Sequence, residues 1–311
     1  MARKPFPVLG GTGKTGRHVV NLLRQRGEDL RAASRSGDWK FDWFDESTWE
    51  SAVSGAGAIY AVDAQNERAA ERLRAFAPFA AERGVERLVL LSARGWEDFG
   101  DDDMLDTERA LKEADCAWTI LRPTWFMQSF GTDAVLRDPL LAGELRLPTG
   151  EGREPYIDAE DIAEVAVAAL TEDGHAGATY PLSGPRALST HEVVEEIAKA
   201  CGRDDLRYVP IAPEEYVDSL VEAGTPRGDA EFLTELFGWI RDGKDAYLSD
   251  GVQRVLGREP RDFADFAARA AAAGAWSSQA PPGSGRRPAG TARRLRRPST
   301  CAPPPGVSAR T

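Results

Sequence analysis

Residues 6–23 read Phe6-Pro7-Val8-Leu9, then Gly10-Gly11-Thr12-Gly13-Lys14-Thr15-Gly16, then Arg17-His18-Val19-Val20-Asn21-Leu22-Leu23. The first four form a short apolar strand. Val19, Val20, Leu22 and Leu23 recur on one side of a helix that Gly27 stops. Between strand and helix the glycines allow two readings. Gly13-Lys14-Thr15 matches the end of a G-x-x-x-x-G-K-[ST] phosphate loop, but that motif needs glycine where this chain has the strand residue Val8. Gly10, Gly13 and Gly16 instead fit G-x-x-G-x-x-G at a strand-to-helix turn. Glycine there permits the tight turn, clears space for a pyrophosphate against the backbone, and lets helix pack on strand. The helix N-terminus adds unbonded amides and a partial positive charge. The loop points to a dinucleotide.

The same alternation continues outward. Residues 30–33, 58–62, 87–91 and 118–121 read as strands, with helices expected over 67–83 and 106–114. Repeated strand–helix–strand units predict an α/β fold, a Rossmann-type doubly wound parallel sheet whose C-terminal edge forms the binding crevice. After about Leu140 the pattern becomes mixed. Asp158-Ala159-Glu160-Asp161 opens a helix with an acid three residues past its cap, and Ile162, Val165, Ala166, Ala169 and Leu170 form its apolar stripe. Ser189-Thr190-His191-Glu192 is a capping box of the S-x-x-E type. A strand at 206–211 and two further helices complete a smaller mixed C-terminal lobe. The expected division is 1–140 for the nucleotide-binding domain, 141–276 for a substrate lobe, and 277–311 for a tail.

Composition narrows the classes. The 311 residues are 42% hydrophobic and 29% charged, as in a globular protein with a sizeable core. No run approaches the roughly 20 apolar residues of a membrane span. The N-terminus shows no signal-peptide core, and Cys116, Cys201 and Cys301 lie far apart with no metal or disulfide spacing. The expected location is cytoplasmic. The net charge of −11 hides an asymmetry, because seven arginines and no acid fall after residue 276. The rest of the chain holds 32 basic against 50 acidic side chains, a net of −18. That balance argues against nucleic acid as a partner of the folded body. The Pro-, Gly-, Ser- and Arg-rich tail is expected to be disordered. His18, His175 and His191 do not cluster, so no metal is expected, and no G-x-S-x-G elbow suggests a hydrolase.

The end of the second strand chooses the dinucleotide. It reads Ala32-Ala33-Ser34-Arg35-Ser36. A carboxylate there would bind a ribose 2′-hydroxyl and repel a 2′-phosphate, whereas a guanidinium flanked by hydroxyls pairs with the phosphate. NADP(H) is therefore favoured over NAD(H).

Further segments carry a resemblance: Leu90-Leu91-Ser92-Ala93, Leu121-Arg122-Pro123-Thr124-Trp125-Phe126-Met127, Tyr156-Ile157-Asp158-Ala159-Glu160-Asp161-Ile162, and Leu256-Gly257-Arg258-Glu259-Pro260-Arg261-Asp262-Phe263. With the glycine loop and Ala33-Ser34-Arg35, the chain up to Trp276 resembles the NmrA-like NAD(P)H-binding proteins of the atypical short-chain dehydrogenase/reductase superfamily. Among these it looks closest to bacterial relatives of the ergot-alkaloid reductases. The resemblance implies that Gly10, Thr12, Gly13, Thr15 and Gly16 hold the pyrophosphate. It puts Ser34 and Arg35 on the 2′-phosphate, Asp42 and Trp43 beside the adenine, and Ala61 and Val62 on the ribose side. It also implies that Ser92, Ala93 and Pro123 frame the nicotinamide, and that Trp125, Phe126, Met127 and Phe130 build an apolar substrate pocket.

One departure bears on catalysis. Typical superfamily members pair tyrosine and lysine at Y-x-x-x-K spacing, where the phenol protonates a carbonyl oxygen. The residues four beyond Tyr60, Tyr156, Tyr180, Tyr208, Tyr216 and Tyr247 are Ala64, Glu160, Gly184, Ala212, Leu220 and Gly251. Aligned on Glu108, the usual lysine position falls near Met104 and the tyrosine near Gly100. Two functions of different class remain. One is a reductase of an acceptor that is already electrophilic (an iminium ion, a quinone, an azo bond or a flavin), with Ser92 as candidate catalytic hydrogen-bond donor. In that reading the Asp101-Asp102-Asp103 run either stabilises a cationic substrate or is a solvated loop. The other is an NADP(H)-binding redox sensor that regulates a protein partner without turnover.

Overall fold

Strand β1 (Phe6–Leu9) passes through the glycine loop into α1 (Gly16–Gln25), and the alternation runs on through β2 (Leu30–Ser34), β3 (Trp39–Lys40), α2 (Trp49–Val53) and β4 (Ala58–Val62). It continues with α3 (Ala69–Ala81), β5 (Arg87–Leu91), α4 (Asp106–Lys112) and β6 (Ala117–Pro123). There follow α5 (Ser129–Thr132), α6 (Ala134–Ala142), β7 (Glu144–Leu147), β8 (Arg153–Glu154), α7 (Ala159–Thr171), β9 (Ala178–Leu182) and β10 (Leu188–Ser189). The last elements among the described residues are α8 (Thr190–Cys201), β11 (Arg207–Pro210), α9 (Pro213–Glu222), α10 (Arg227–Arg241), α11 (Gly251–Leu256) and α12 (Phe263–Ala272). The computed structural model describes residues 4–98 and 105–277. Gly100, the Asp101-Asp102-Asp103 run, Met104, and the basic tail from residue 278 with Cys301 lie outside the described residues.

Seven strands form one parallel sheet in the order β3-β2-β1-β4-β5-β6-β9. The strand order reverses at β1, which pairs with β2 on one side and β4 on the other, and this switch opens a crevice beyond the carboxyl ends. Apolar runs such as Leu88-Val89-Leu90 suit strands covered on both faces. One face packs Trp43, Trp49, Leu73, Phe76 and Leu111, and the other packs α1, α7 and α11. Helix α7 is wrapped on all sides, with Ile162, Ala163 and every residue from 165 to 170 buried, so the stripe expected from sequence is only part of its packed surface. Both α7 and β9 come from beyond residue 140, so the chain returns to the sheet after leaving it.

A second core joins Met127, Phe130, Leu140, Leu145, Ile197, Phe237, Phe263 and Trp276. Two small sheets flank it: β8 with β10 antiparallel, and β7 with β11 parallel. The capping box is formed as the sequence predicts: Glu192 N–H donates to Ser189 Oγ at 3.2 Å, and Ser189 N–H donates to Glu192 Oε2 at 2.8 Å. Among the described residues four helices follow β11 rather than the expected two, because Gly224, Gly243 and Gly257 at positive φ break the run into short pieces. Strand β9 escaped the sequence reading because Pro181 interrupts it, which an edge strand tolerates. Among the described residues no helix is long and apolar enough to cross a membrane.

Candidate active site

Gly10 leaves β1 at φ +84°, and the amides of Gly10 and Gly11 both donate to the Ala33 carbonyl of β2, at 3.0 and 3.1 Å. Gly13 N–H closes back on the Gly10 carbonyl at 2.8 Å. A side chain at position 16 would overlap that same carbonyl oxygen and lie 2.9 Å from Gly11 Cα, so only glycine lets α1 start this close to the turn. The amides of Thr12, Lys14, Thr15 and Gly16 find no backbone acceptor among the described residues, and no acid stands in the first turn of α1. Thr12 and Gly13 are exposed. Unspent N–H groups at a helix N-terminus receive an anion.

Two side chains of the loop are already engaged. Thr15 is buried, and its hydroxyl accepts from Tyr60 OH of β4 at 2.8 Å, which anchors the foot of the loop. Burial, only partly offset by that bond, pushes the Tyr60 phenol up, so it stays neutral. Lys14 Nζ reaches across to the helices after β6, where it ion-pairs with Asp133 and lies 3.5 Å from Ser129 Oγ.

At the end of β2, Ser34 is buried with its hydroxyl unpartnered. Arg35 is exposed and makes no hydrogen bond or ion pair with a described residue. A cradle of unbonded amides, an orphaned hydroxyl and an unpaired guanidinium together suit an anionic dinucleotide. Asp42 and Trp43 sit in the turn after β3. Asp42 Oδ1 accepts from Phe44 N–H, and the Asp42 carbonyl accepts from the Trp49 indole, both at 2.9 Å. Trp43 is buried, donates to the Val62 carbonyl at 3.1 Å, and meets Phe41 and Phe76 edge-on with centroids 5.0 and 5.2 Å apart. It is part of the core under β4. Phe44, 44% exposed beneath the Arg68 guanidinium, is the ring at that surface. Ala61 is buried within β4, while half-buried Val62 faces Gly10.

Beyond β5, Ser92 is tied into a network. Its hydroxyl donates to Glu108 Oε1 at 2.7 Å, and Arg122 of β6 grips the same carboxylate with two bonds of 2.8 and 2.7 Å. Arg122 also meets Glu97 at 2.9 Å. Ser92 thus spends its proton on Glu108. Ala93 is half-buried and Pro123 is buried beside it at the crest, where Arg94 N–H donates to the Pro123 carbonyl at 3.0 Å. Burial raises the Glu108 pKa, but the Arg122 and Ser92 bonds outweigh it and hold the carboxyl below 4.5. The stabilisation is therefore full at neutral pH and is lost as pH falls through the depressed value. Glu108→Ala is expected to cost about 2 kcal/mol in urea unfolding, because half-buried Arg122 loses its two-bond partner and keeps Glu97. Glu108→Gln is expected to flatten the acid limb of stability against pH.

The apolar residues after β6 divide. Trp125 is half-buried and stacks on Phe237 of α10 at 5.0 Å, and Tyr216 of α9 meets Phe237 edge-on at 5.6 Å. Half-buried Phe126 bridges to Ile157 and packs with the sheet. Met127 and Phe130 are closed inside the second core, where Phe130 meets Tyr156 and Phe263 at 5.1 and 5.7 Å. Near this crest several buried polar atoms have no side-chain partner among the described residues: the Tyr216 hydroxyl, Arg94 Nη1 and both carboxyl oxygens of Glu154.

The segments 156–162 and 256–263 meet in space. Asp158 caps α7 by accepting from Glu160 N–H at 2.9 Å, and also holds Gln128 at 2.7 Å and Arg269 at 2.5 Å. Asp161 does not complete a capping box. It is fully buried and instead accepts from Arg258 Nη2 and the Arg261 backbone, both at 2.7 Å, and from the Arg261 side chain. These segments tie α7 to the chain that follows α11. Lys14, Tyr60, Arg94, Glu108, Glu154, Tyr216 and Phe237 were not read as site residues from sequence. Arg94 directly follows Ser92-Ala93, which is a signal, whereas Glu154 and Phe237 stand in no pattern.

A family model described as NAD(P)H-binding matches residues 10–173. The chain is 32% identical over 290 residues to the NAD(P)H azoreductase of Xenophilus azovorans, covering 86% of this chain and 99% of that protein. It is 30% identical over 278 residues to the agroclavine dehydrogenase of Claviceps fusiformis, covering 83% and 94%. Its fold matches that of the Citrobacter sp. triphenylmethane reductase complexed with NADP(H), with a TM-score of 0.69 at 20% identity over 86% of this chain and 99% of that one.

Proposed function

The chain belongs to the NAD(P)H-binding, NmrA-like atypical short-chain dehydrogenase/reductase family, and from that premise we propose that it is an NADPH-dependent reductase of an electrophilic small molecule: an azo compound, a quinone, a flavin or an iminium ion. The observation that carries the cofactor choice is the unpaired Arg35 guanidinium at the end of β2, beside the orphaned Ser34 hydroxyl. Likeness to an azoreductase along 99% of that protein's length supports the acceptor class.

In this reading the free amides of residues 12 and 14–16 bind the pyrophosphate, and Arg35 binds the 2′-phosphate. Tyr60 holds the loop from below through Thr15. Trp125, backed by Phe237, gives a flat acceptor an apolar surface and keeps water from it. The dihydronicotinamide, when bound, supplies a hydride. Without a Y-x-x-x-K pair, proximity and orientation supply most of the rate, which suits an acceptor that is electrophilic at the outset.

The test is NADPH oxidation with an arylazo dye, a naphthoquinone and a cyclic iminium ion. Turnover with at least one acceptor is expected, and binding without turnover of any would leave a sensor. Arg35→Ala is expected to weaken NADPH binding about 10- to 100-fold through loss of charge-assisted bonds, and to change NADH binding little. Equal affinity of the unaltered protein for both dinucleotides would overturn the role of Arg35.

A further inference from the structure

Reduction of an azo bond or a quinone consumes a proton as well as a hydride, and the chain has no Tyr-Lys pair to give one. Glu154, the last residue of β8, is fully buried, and among the described residues neither carboxyl oxygen has a side-chain partner; the group that faces it is the Trp125 backbone N–H. Arg94, with its side chain also fully buried, donates Nε and Nη2 to the Asp245 carboxylate and carbonyl, each at 2.6 Å, and leaves Nη1 unbonded. No ion pair joins Arg94 to Glu154. The two flank the end of β6: Arg94 N–H bonds the Pro123 carbonyl at 3.0 Å, and the carbonyl of Pro155, next to Glu154, accepts from Thr124 Oγ1 at 2.8 Å. Trp125 follows directly. These unspent polar atoms therefore gather at the crest where the acceptor is read to lie.

An isolated buried carboxylate costs several kcal/mol, so the neutral acid is the cheaper state. Burial, then the Asp245 charge, raises the Glu154 pKa well above its ordinary value and outweighs Arg94 and the Trp125 backbone N–H, which oppose it, with the neutral phenol of Tyr156 alongside. A neutral carboxylic acid carries one O–H donor, and no acceptor among the described residues takes it. The Tyr216 hydroxyl is likewise unpartnered, but burial pushes that phenol further up, which makes it the poorer acid.

We propose that Glu154 is the proton donor of the reduction, acting on the acceptor atom that gathers negative charge as hydride arrives. The inference rests on the reductase reading above. For an azo acceptor, hydride forms one N–H bond, and the N=N π pair moves to the second nitrogen. The Glu154 O–H bond then breaks, and its proton forms the second N–H bond. The product is a hydrazine, the dihydronicotinamide is oxidised, and the carboxylate left behind regains a proton from solvent. A quinone becomes a hydroquinone by the same count. An iminium ion needs the hydride alone.

That difference supplies the test. Rates of NADPH oxidation are measured for the unaltered protein, Glu154→Gln and Glu154→Asp with the arylazo dye, the naphthoquinone and the cyclic iminium, with NADPH titration as the check on folding. The ratio of azo or quinone rate to iminium rate is expected to fall about 100-fold in Glu154→Gln, the scale of a lost general acid. The azo rate of the unaltered protein is expected to fall as pH rises, and that dependence to vanish in Glu154→Gln. An unchanged ratio, including an equal loss on all three acceptors, overturns the proposal. Glu154→Asp, which withdraws the acid from the crest without removing the carboxyl group, carries the same comparison if the glutamine variant fails to fold. Absence of turnover by the unaltered protein sinks the reductase reading and this proposal together, whereas turnover with an unchanged ratio sinks the proposal alone.

Discussion

Gly16→Val is expected to weaken NADPH binding at least 10²-fold, as read by titration of dihydronicotinamide fluorescence. The added Cβ would overlap the Gly10 carbonyl oxygen and lie 2.8 Å from the Gly10 carbonyl carbon and 2.9 Å from Gly11 Cα. All three neighbours are backbone, so no side-chain rotation relieves the clash, and the turn must open. The four amides then no longer converge. Losing even two or three charge-assisted bonds of about 1.5 kcal/mol each weakens binding roughly 10²- to 10³-fold. Gly13→Ala provides the contrast, because its Cβ would meet one atom, the Gly10 carbonyl oxygen, at 3.1 Å, and a milder loss is expected.

Asp161→Ala is expected to cost about 3–5 kcal/mol of stability, a large share of the 5–15 kcal/mol typical of a domain. Asp161 is fully buried and satisfies two guanidinium groups and the Arg261 amide. Its removal leaves that amide without an acceptor and leaves Arg258 and Arg261 to share Glu164, with Glu160 beside Arg261 at 3.4 Å. The midpoint of urea unfolding should move down sharply. The NADPH affinity of the protein that remains folded should change much less than in Gly16→Val, because none of these groups belongs to the glycine loop.

The sheet and its crevice were legible because their signals are local. A strand, a glycine turn and a helix lie within 20 residues, and the alternation repeats. The Ser189–Glu192 box was legible for the same reason. What escaped depends on partners distant in sequence. Thr15 reads as a loop residue alone, and nothing local announces that Tyr60, 45 residues away, donates to its hydroxyl. Met127 and Phe130 follow a strand end and read as pocket lining, but Tyr156, Phe263 and Trp276 close over them. The segments around Asp161 and Arg258 were visible as a resemblance, yet their ion pair spans 97 residues and no periodicity announces it. Glu154 carries no signal at all, since a single acid between Arg153 and Pro155 looks like loop chemistry until its burial is known.

The clasp between α7 and the arginines after α11 sets a condition on biosynthesis. A nascent chain that has emerged only as far as residue 257 already holds every strand of the parallel sheet, but the acids at 161 and 164 still wait for their counter-charges. The nucleotide-binding half cannot reach its final stability until the ribosome has released Arg261. A chain truncated before that point would consequently be a substrate for chaperones and proteases rather than a smaller working module.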